Sequence, residues 1–135
     1  MDNRINVGGV HHLRLTVADV ERARSFYTGV LGFDFLMDLP PGVLLHNGQF
    51  LLGLGLAPHE GADSSGDRFD ENRVGLDHLS FGVESRRDLD EAVRILDERN
   101  VPHGEIKDLG PDFGICILAF RDPDNIQLEL TAPRA

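Results

Sequence analysis

One segment of this chain occurs twice. Gly9-Val10-His11-His12-Leu13-Arg14-Leu15-Thr16-Val17 lies over Gly75-Leu76-Asp77-His78-Leu79-Ser80-Phe81-Gly82-Val83 without a gap, 66 residues apart from His12 to His78. A repeat of this kind implies two copies of one supersecondary unit, and a histidine at the same place in each implies a site built across their pseudo-symmetry. At 135 residues, 41% of them hydrophobic, the chain suits one compact domain and is too short for two conventional ones. The two copies must share a core or pair with another subunit.

Periodicity gives each copy the same order. Residues 10–17 alternate, with Val10, Leu13, Leu15 and Val17 apolar and His12, Arg14 and Thr16 on the opposite face of a strand. Asp19 is a plausible N-cap for a helix from Val20, burying Val20, Ala23, Phe26 and Tyr27 and stopping near Gly29 or Gly32. Strands are expected over 33–37, 43–46 and 50–56, with Asn47-Gly48 as a two-residue hairpin signal. Module one, residues 7–56, therefore reads βαβββ. Residues 57–73, polar and rich in Gly, Ser and Asp, form an exposed connector. Module two, 74–131, repeats the order: a strand over 76–83, a helix from about Asp88 to Arg99 burying Leu89, Ala92, Val93 and Leu96, then strands over 103–107, 113–120 and 126–131. On the last strand Ile126, Leu128 and Leu130 face one way and Gln127, Glu129 and Thr131 the other. The fold class is α+β, the sheets of both modules enclosing a cup.

Several function classes recede on composition. Cys116 is the single cysteine, so neither an internal disulfide nor a cysteine zinc cage is available, and it reads as a small packed hydrophobe. A net charge of −10 disfavours nucleic-acid binding, which needs clustered positive charge, and favours cationic or weakly charged ligands. No apolar run reaches membrane-spanning length and Met1-Asp2-Asn3-Arg4 does not open like a signal peptide, so a cytoplasmic protein is expected.

His12, His78 and Glu129 then stand on the polar faces of three apolar-backed strands. Two imidazoles and a carboxylate suit a divalent first-row metal ion (Fe, Mn, Ni, Zn or Co) with positions left open for water or substrate. Arg14, Thr16, Ser80 and Gln127 share that face as substrate-binding candidates. Arg14 either pairs with a substrate carboxylate or enolate, joining Glu129 as a catalytic candidate, or neutralises Glu129 or another acid. His11 has the opposite parity, which makes it a packed or supporting residue. His46, His59 and His103 fall in turns or loops and read as solvated.

The stretches His-His-Leu-Arg-Leu-Thr-Val-Ala-Asp at 11–19, Ser-Phe-Tyr-Thr-Gly-Val-Leu-Gly-Phe at 25–33, Asp-His-Leu-Ser-Phe at 77–81 and Asp-Pro-Asp-Asn-Ile-Gln-Leu-Glu-Leu at 122–130 resemble the vicinal oxygen chelate superfamily. It includes glyoxalases, extradiol dioxygenases, fosfomycin-resistance enzymes and bleomycin-binding proteins. The resemblance implies a metal held at the positions of His12, His78 and Glu129, a small-molecule substrate or antibiotic, and a homodimer. The fourth ligand position of glyoxalases falls within Gly53-Leu54-Gly55-Leu56, where no ligating side chain exists, which disfavours glyoxalase I. Arg14 stands where fosfomycin thiol-transferases carry Thr, which disfavours that branch. Ring-cleaving dioxygenases share the two-His, one-Glu pattern. Two readings of different class follow: a metal-dependent enzyme acting on vicinal oxygens, and an acidic antibiotic-sequestering protein of the bleomycin-resistance type.

Overall fold

A computed structural model of the protein describes residues 3–135; Met1 and Asp2, part of the N-terminal stretch read above for a leader, lie outside the described residues. Module one comprises β1 (His12–Thr16), α1 (Val20–Gly29), β2 (Asp34–Leu39), β3 (Gly42–His46) and β4 (Leu51–Gly55). Module two comprises β5 (Leu79–Gly82), α2 (Arg86–Glu98), β6 (Lys107–Asp108), α3 (Gly110–Phe113), β7 (Ile115–Arg121) and β8 (Gln127–Pro133). Each forms a mixed four-stranded sheet, ordered β1-β4-β3-β2 and β5-β8-β7-β6, with the first and last strands parallel and the rest antiparallel. The architecture is α+β, as the repeat requires. The strands do not merge into one sheet: β1 and β5 are both edges, each with one unpaired side.

Local chemistry explains the helices. The Asp19 carboxylate accepts from Arg22 N at 3.0 Å, capping α1 and satisfying one of the amides a helix start leaves orphaned. In α2 the start lies at Arg86, two residues earlier than the apolar pattern alone suggests, because Ser85 N and Ser85 Oγ donate to Asp88 Oδ2. Helix α1 packs on β3 and β4, and α2 on β7 and β8, so each sheet has one covered and one bare face. Burial alternates accordingly: Leu128, Leu130 and Ala132 are buried on β8, while Gln127, Glu129 and Thr131 are half-buried on the bare face.

The modules share their core. Leu15, Ala23, Phe26, Tyr27, Leu52 and Leu54 of module one join Leu89, Leu96, Leu118, Phe120 and Leu128 of module two in one hydrophobic cluster. Phe81 bridges them, edge-on to Phe33 and Phe50 at 5.7 and 6.2 Å between centroids. The junction is also polar. The Asp122-to-Asn125 turn folds on itself as Asp122 Oδ1 accepts from Asp124 N (2.8 Å) and Ile126 N (2.9 Å), leaving Oδ2 to accept the Tyr27 hydroxyl at 2.6 Å. Burial raises the Asp122 carboxyl above the usual range against the opposing pull of these donors, and burial beside Asp122 and Asp124 holds the Tyr27 proton firmly. Asp124 Oδ1 accepts from Ala18 N and Arg22 Nη2, both at 3.0 Å. Module two's last turn thereby clasps module one's helix.

Several expectations need correction. Val10 is exposed rather than core-facing, because β1 begins only at His12. The hairpin loop between β3 and β4 has four residues, 47–50: Asn47 Oδ1 accepts from Gln49 N and Phe50 N, and Gly48 takes φ +86°. The strand expected over 103–107 shrinks to a His103–Phe120 bridge and the two residues of β6. Phe113 belongs to the short helix α3 and not to a strand; Pro111 starts that turn and Gly114, at φ +72°, ends it. His46 ends β3, and His103 is paired rather than solvated, its ring nitrogens meeting Asp97 Oδ1 at 2.6 Å and the Gly104 carbonyl at 2.7 Å. Cys116 is buried in the core as read from the sequence.

The 57–73 connector lacks helix and strand but is pinned at four points. Ser64 Oγ donates to Val17 O, Phe69 N to Asp124 O, Asn125 Nδ2 to Phe69 O, and Arg121 forks onto both oxygens of Glu71 at 2.8 and 2.6 Å. The guanidinium pulls the Glu71 carboxyl down to about 2. No helix among the described residues is long and apolar enough to cross a membrane.

Candidate functional site

On the bare face of module two, β5 and β8 run parallel with Ser80 opposite Glu129. This register brings His78 Nε2 within 3.7 Å of Glu129 Oε2. The other ring nitrogen, Nδ1, stands 2.8 Å from Asp77 Oδ1, and Gln127 Nε2 donates to that same oxygen at 3.0 Å and to the Asp77 carbonyl at 3.2 Å. A carboxylate on the far nitrogen fixes ring orientation and tautomer, turning Nε2 toward Glu129. Glu129 is braced too: Thr131 Oγ1 donates to its Oε1 at 3.2 Å and shares a 2.6 Å hydrogen bond with Ser80 Oγ. Its side chain is only 14% exposed, against 41% for His78.

His78 and Glu129 therefore form an oriented nitrogen–oxygen pair. Donors that each sit about 2.1 Å from a common ion stand up to about 4 Å apart, so the 3.7 Å separation fits two ligands of one metal. His12 does not join them within the chain. Its ring is exposed on β1, with Nδ1 2.8 Å from His11 Nδ1 and the two rings edge-on, which leaves Nε2 outward. His11 is thus an exposed supporting contact of His12 and is not packed in the core. Among the described residues of one chain, no three His, Cys, Asp or Glu side chains converge tightly enough to hold a metal ion.

The remaining candidates divide. Ser80 and Gln127 are committed to protein partners, Ser80 to Thr131 and Gln127 to Asp77. Thr16 lines a cavity of about 150 Å³ beneath the connector, with Ser64, Phe69 and Asp124. Arg14 forms no ion pair with Glu129 or with any other acid among the described residues. Each bare face also carries an open hollow: about 340 Å³ beside His11, His46 and Phe50 in module one, and about 290 Å³ beside His103, Arg121 and Gln127 in module two. Sequence reasoning missed Asp77 and Thr131. The signal was available in the case of Asp77, an acid directly before a candidate ligand; Thr131 was visible only as a third residue of Glu129's parity.

Similarity to known proteins agrees with this architecture. A solved glyoxylase/bleomycin resistance protein/dioxygenase domain from Frankia sp. EAN1pec is 35% identical, with a TM-score of 0.81, covering 96% of this chain and all of that one. The uncharacterized protein YwkD of Bacillus subtilis (strain 168) is 30% identical over 128 residues, spanning 90% of this chain and 94% of its own. The fosfomycin resistance protein FosX from Listeria monocytogenes, at 18% identity and a TM-score of 0.74 over 96% of this chain and all of its own, shares the fold. Residues 9–130 match the family model for the glyoxalase/bleomycin resistance protein/dioxygenase superfamily, a span that holds His12, His78 and Glu129, so the chain belongs to that superfamily.

Proposed function

We propose that the protein is a metal-dependent enzyme acting on a small oxygen-bearing substrate, with His78 and Glu129 of one chain completed by His12 of a second copy. The observation that carries this reading is the oriented pair itself. Asp77, Gln127, Ser80 and Thr131 all hold His78 Nε2 and Glu129 facing each other at 3.7 Å, and a cleft that only sequesters an apolar or cationic drug has no physical need of such bracing. A divalent ion bound there would supply Lewis-acid polarisation of substrate oxygens. The chain's own part is to turn Nε2 toward the site through the Asp77 contact, to hold Glu129 in place through Thr131, and to leave the rest of the bare face open to substrate.

Three features support completion by a second copy. His12 points outward from an edge strand, β5 is likewise an open edge, and the exposed large apolar residues Ile5, Val7, Val10, Val74 and Leu76 flank those two strands. Open edges bordered by exposed apolar side chains are surfaces that pair with another chain. An isologous dimer would set module one's face against module two's face twice, giving two cups.

Metal analysis of protein purified without chelator tests the site. Wild type should carry close to one divalent ion per chain, and His78→Ala and Glu129→Ala should lose it; equal content in all three would sink the reading. Mixing His12→Ala with Glu129→Ala chains tests the shared geometry. The mixed dimer regains one intact site if His12 comes from the partner, and regains none if each site lies within one chain.

A further inference from the structure

Arg14 occupies a slot cut into module one's bare face, and we infer that this slot binds a carboxylate on the substrate. Five other arginines meet protein acids: Arg22 with Asp124, Arg86 with Asp90, Arg94 with Glu91 and Glu98, Arg121 with Glu71 and Arg134 with Asp108. Arg14 meets none among the described residues. Its side chain lies across the neighbouring strand β4, where Gly53 is its register partner and Gly55 lies on the same face. A methyl group on Gly53 would stand 3.3 Å from Arg14 Cγ, and one on Gly55 would stand 2.1 Å from Nη2 and 2.9 Å from Cζ. The guanidinium therefore rests on bare glycine backbone, in space that any side chain at residue 55 would fill. Gly42, the partner of Gly55 on β3, extends the floor, and Leu44 and Leu51 stand half-buried on the same face.

This arrangement leaves a planar fork of N–H donors open toward the cup with apolar walls beside it. Two carboxylate oxygens match that fork, and the pair of charge-assisted hydrogen bonds is strongest where water is partly excluded. His12 and Arg14 are two residues apart on one face of β1, about 6.6 Å along the strand, so a group on Arg14 and a group beside His12 belong to one small molecule. The substrate class is accordingly a compact oxygenated carboxylate: its acid group on Arg14, its other oxygens toward the His12, His78 and Glu129 positions. The second half of that statement rests on the metal-site reading, whereas the arginine slot does not. A cation drawn by the overall charge of −10 would meet the guanidinium inside the cup, so net charge and local charge select opposite ligands.

Calorimetric titration of malonate into chelator-treated, metal-free full-length protein isolates the slot from the metal. Wild type should bind malonate, and Arg14→Met should bind it roughly tenfold or more weakly, the loss expected for one charge-assisted pair. Gly55→Ala keeps the charge but displaces the guanidinium and should lose much of the affinity; Arg14→Lys, which keeps charge without the fork, should retain part. Thermal melting of each variant confirms that it is folded. Absence of malonate binding by wild type, or equal binding by wild type and Arg14→Met, overturns the slot, and wild-type affinity in Gly55→Ala overturns the role of its floor. Failure of the metal reading shows elsewhere, as unchanged metal content in His78→Ala and Glu129→Ala, and leaves the malonate result standing.

Discussion

On module two's bare face Ser80, Thr131 and Glu129 form one run of hydrogen bonds, and Gln127, Asp77 and His78 another, so each polar side chain is held by a neighbour. On module one the matching face carries His12, Arg14, Thr16 and the glycines Gly42, Gly53 and Gly55. The two modules share strand order and parity, yet one face is braced and the other is bare. In the proposed site the two copies of the repeat take different tasks: module two preorganises donors, while module one gives up side chains to make room and leaves Arg14 without an acid partner among the described residues. Preorganised bonds are a property of fixed geometry; room is a property of missing Cβ atoms.

The widest test of that contrast is glycine substitution in each half. A Cβ at Gly42 would lie 1.8 Å from the Leu54 carbonyl oxygen, which cannot move without shifting β4, so Gly42→Ala should destabilise by about 3 kcal/mol or more in a denaturant titration. Gly82 on β5 has open space at its Cβ position, and Gly82→Ala should stay within about 0.5 kcal/mol of wild type. Equal losses would erase the distinction between the faces.

Tyr27→Phe comes next, because it severs the clasp between the halves. Asp122 Oδ2 is left buried without its donor, and stability should fall by about 1–3 kcal/mol while the secondary structure seen by circular dichroism stays intact. A smaller effect is expected of Thr131→Val, which removes the hydroxyl between Ser80 and Glu129. Metal affinity should drop roughly tenfold with little change in melting temperature, the pattern of a positioning contact. Unchanged affinity would mean that module two's bracing is incidental.

Smallest of all is a pH effect in module two. Asp97 and the Gly104 carbonyl raise the His103 pKa above its ordinary 6.5, so the folded state favours the charged ring. Its contribution is complete below about pH 6.5 and disappears as pH rises through the raised value. Replacing it, His103→Gln, should flatten the decline in stability between those two pH values; an unaltered slope would remove His103 from the account.

Much of this was legible in the chain. The repeat and the two-residue alternation put His12, Arg14 and Thr16 on one face of β1 and Gln127, Glu129 and Thr131 on one face of β8, and Asp19 announced its helix. The misreadings cluster where apolar pattern competes with a local hydrogen bond or a special φ. Asn47 widens a hairpin loop by accepting two amides, Gly114 stops a short helix, and Ser85 with Asp88 starts α2 two residues early. Such contacts depend on individual donors and acceptors and leave no periodicity to detect.

Periodicity and repetition were sufficient to determine the βαβββ order, the faces of the strands and which polar residues share them, because these follow from backbone geometry acting residue by residue. Only the tertiary structure decided that the two sheets stay separate within a chain, that His78 and Glu129 meet while His12 faces outward, and that Arg14 lies on the backbone of Gly55. Those facts depend on how strands distant in sequence are set against one another, and on the space left when a side chain is absent, which no stretch of sequence encodes by itself.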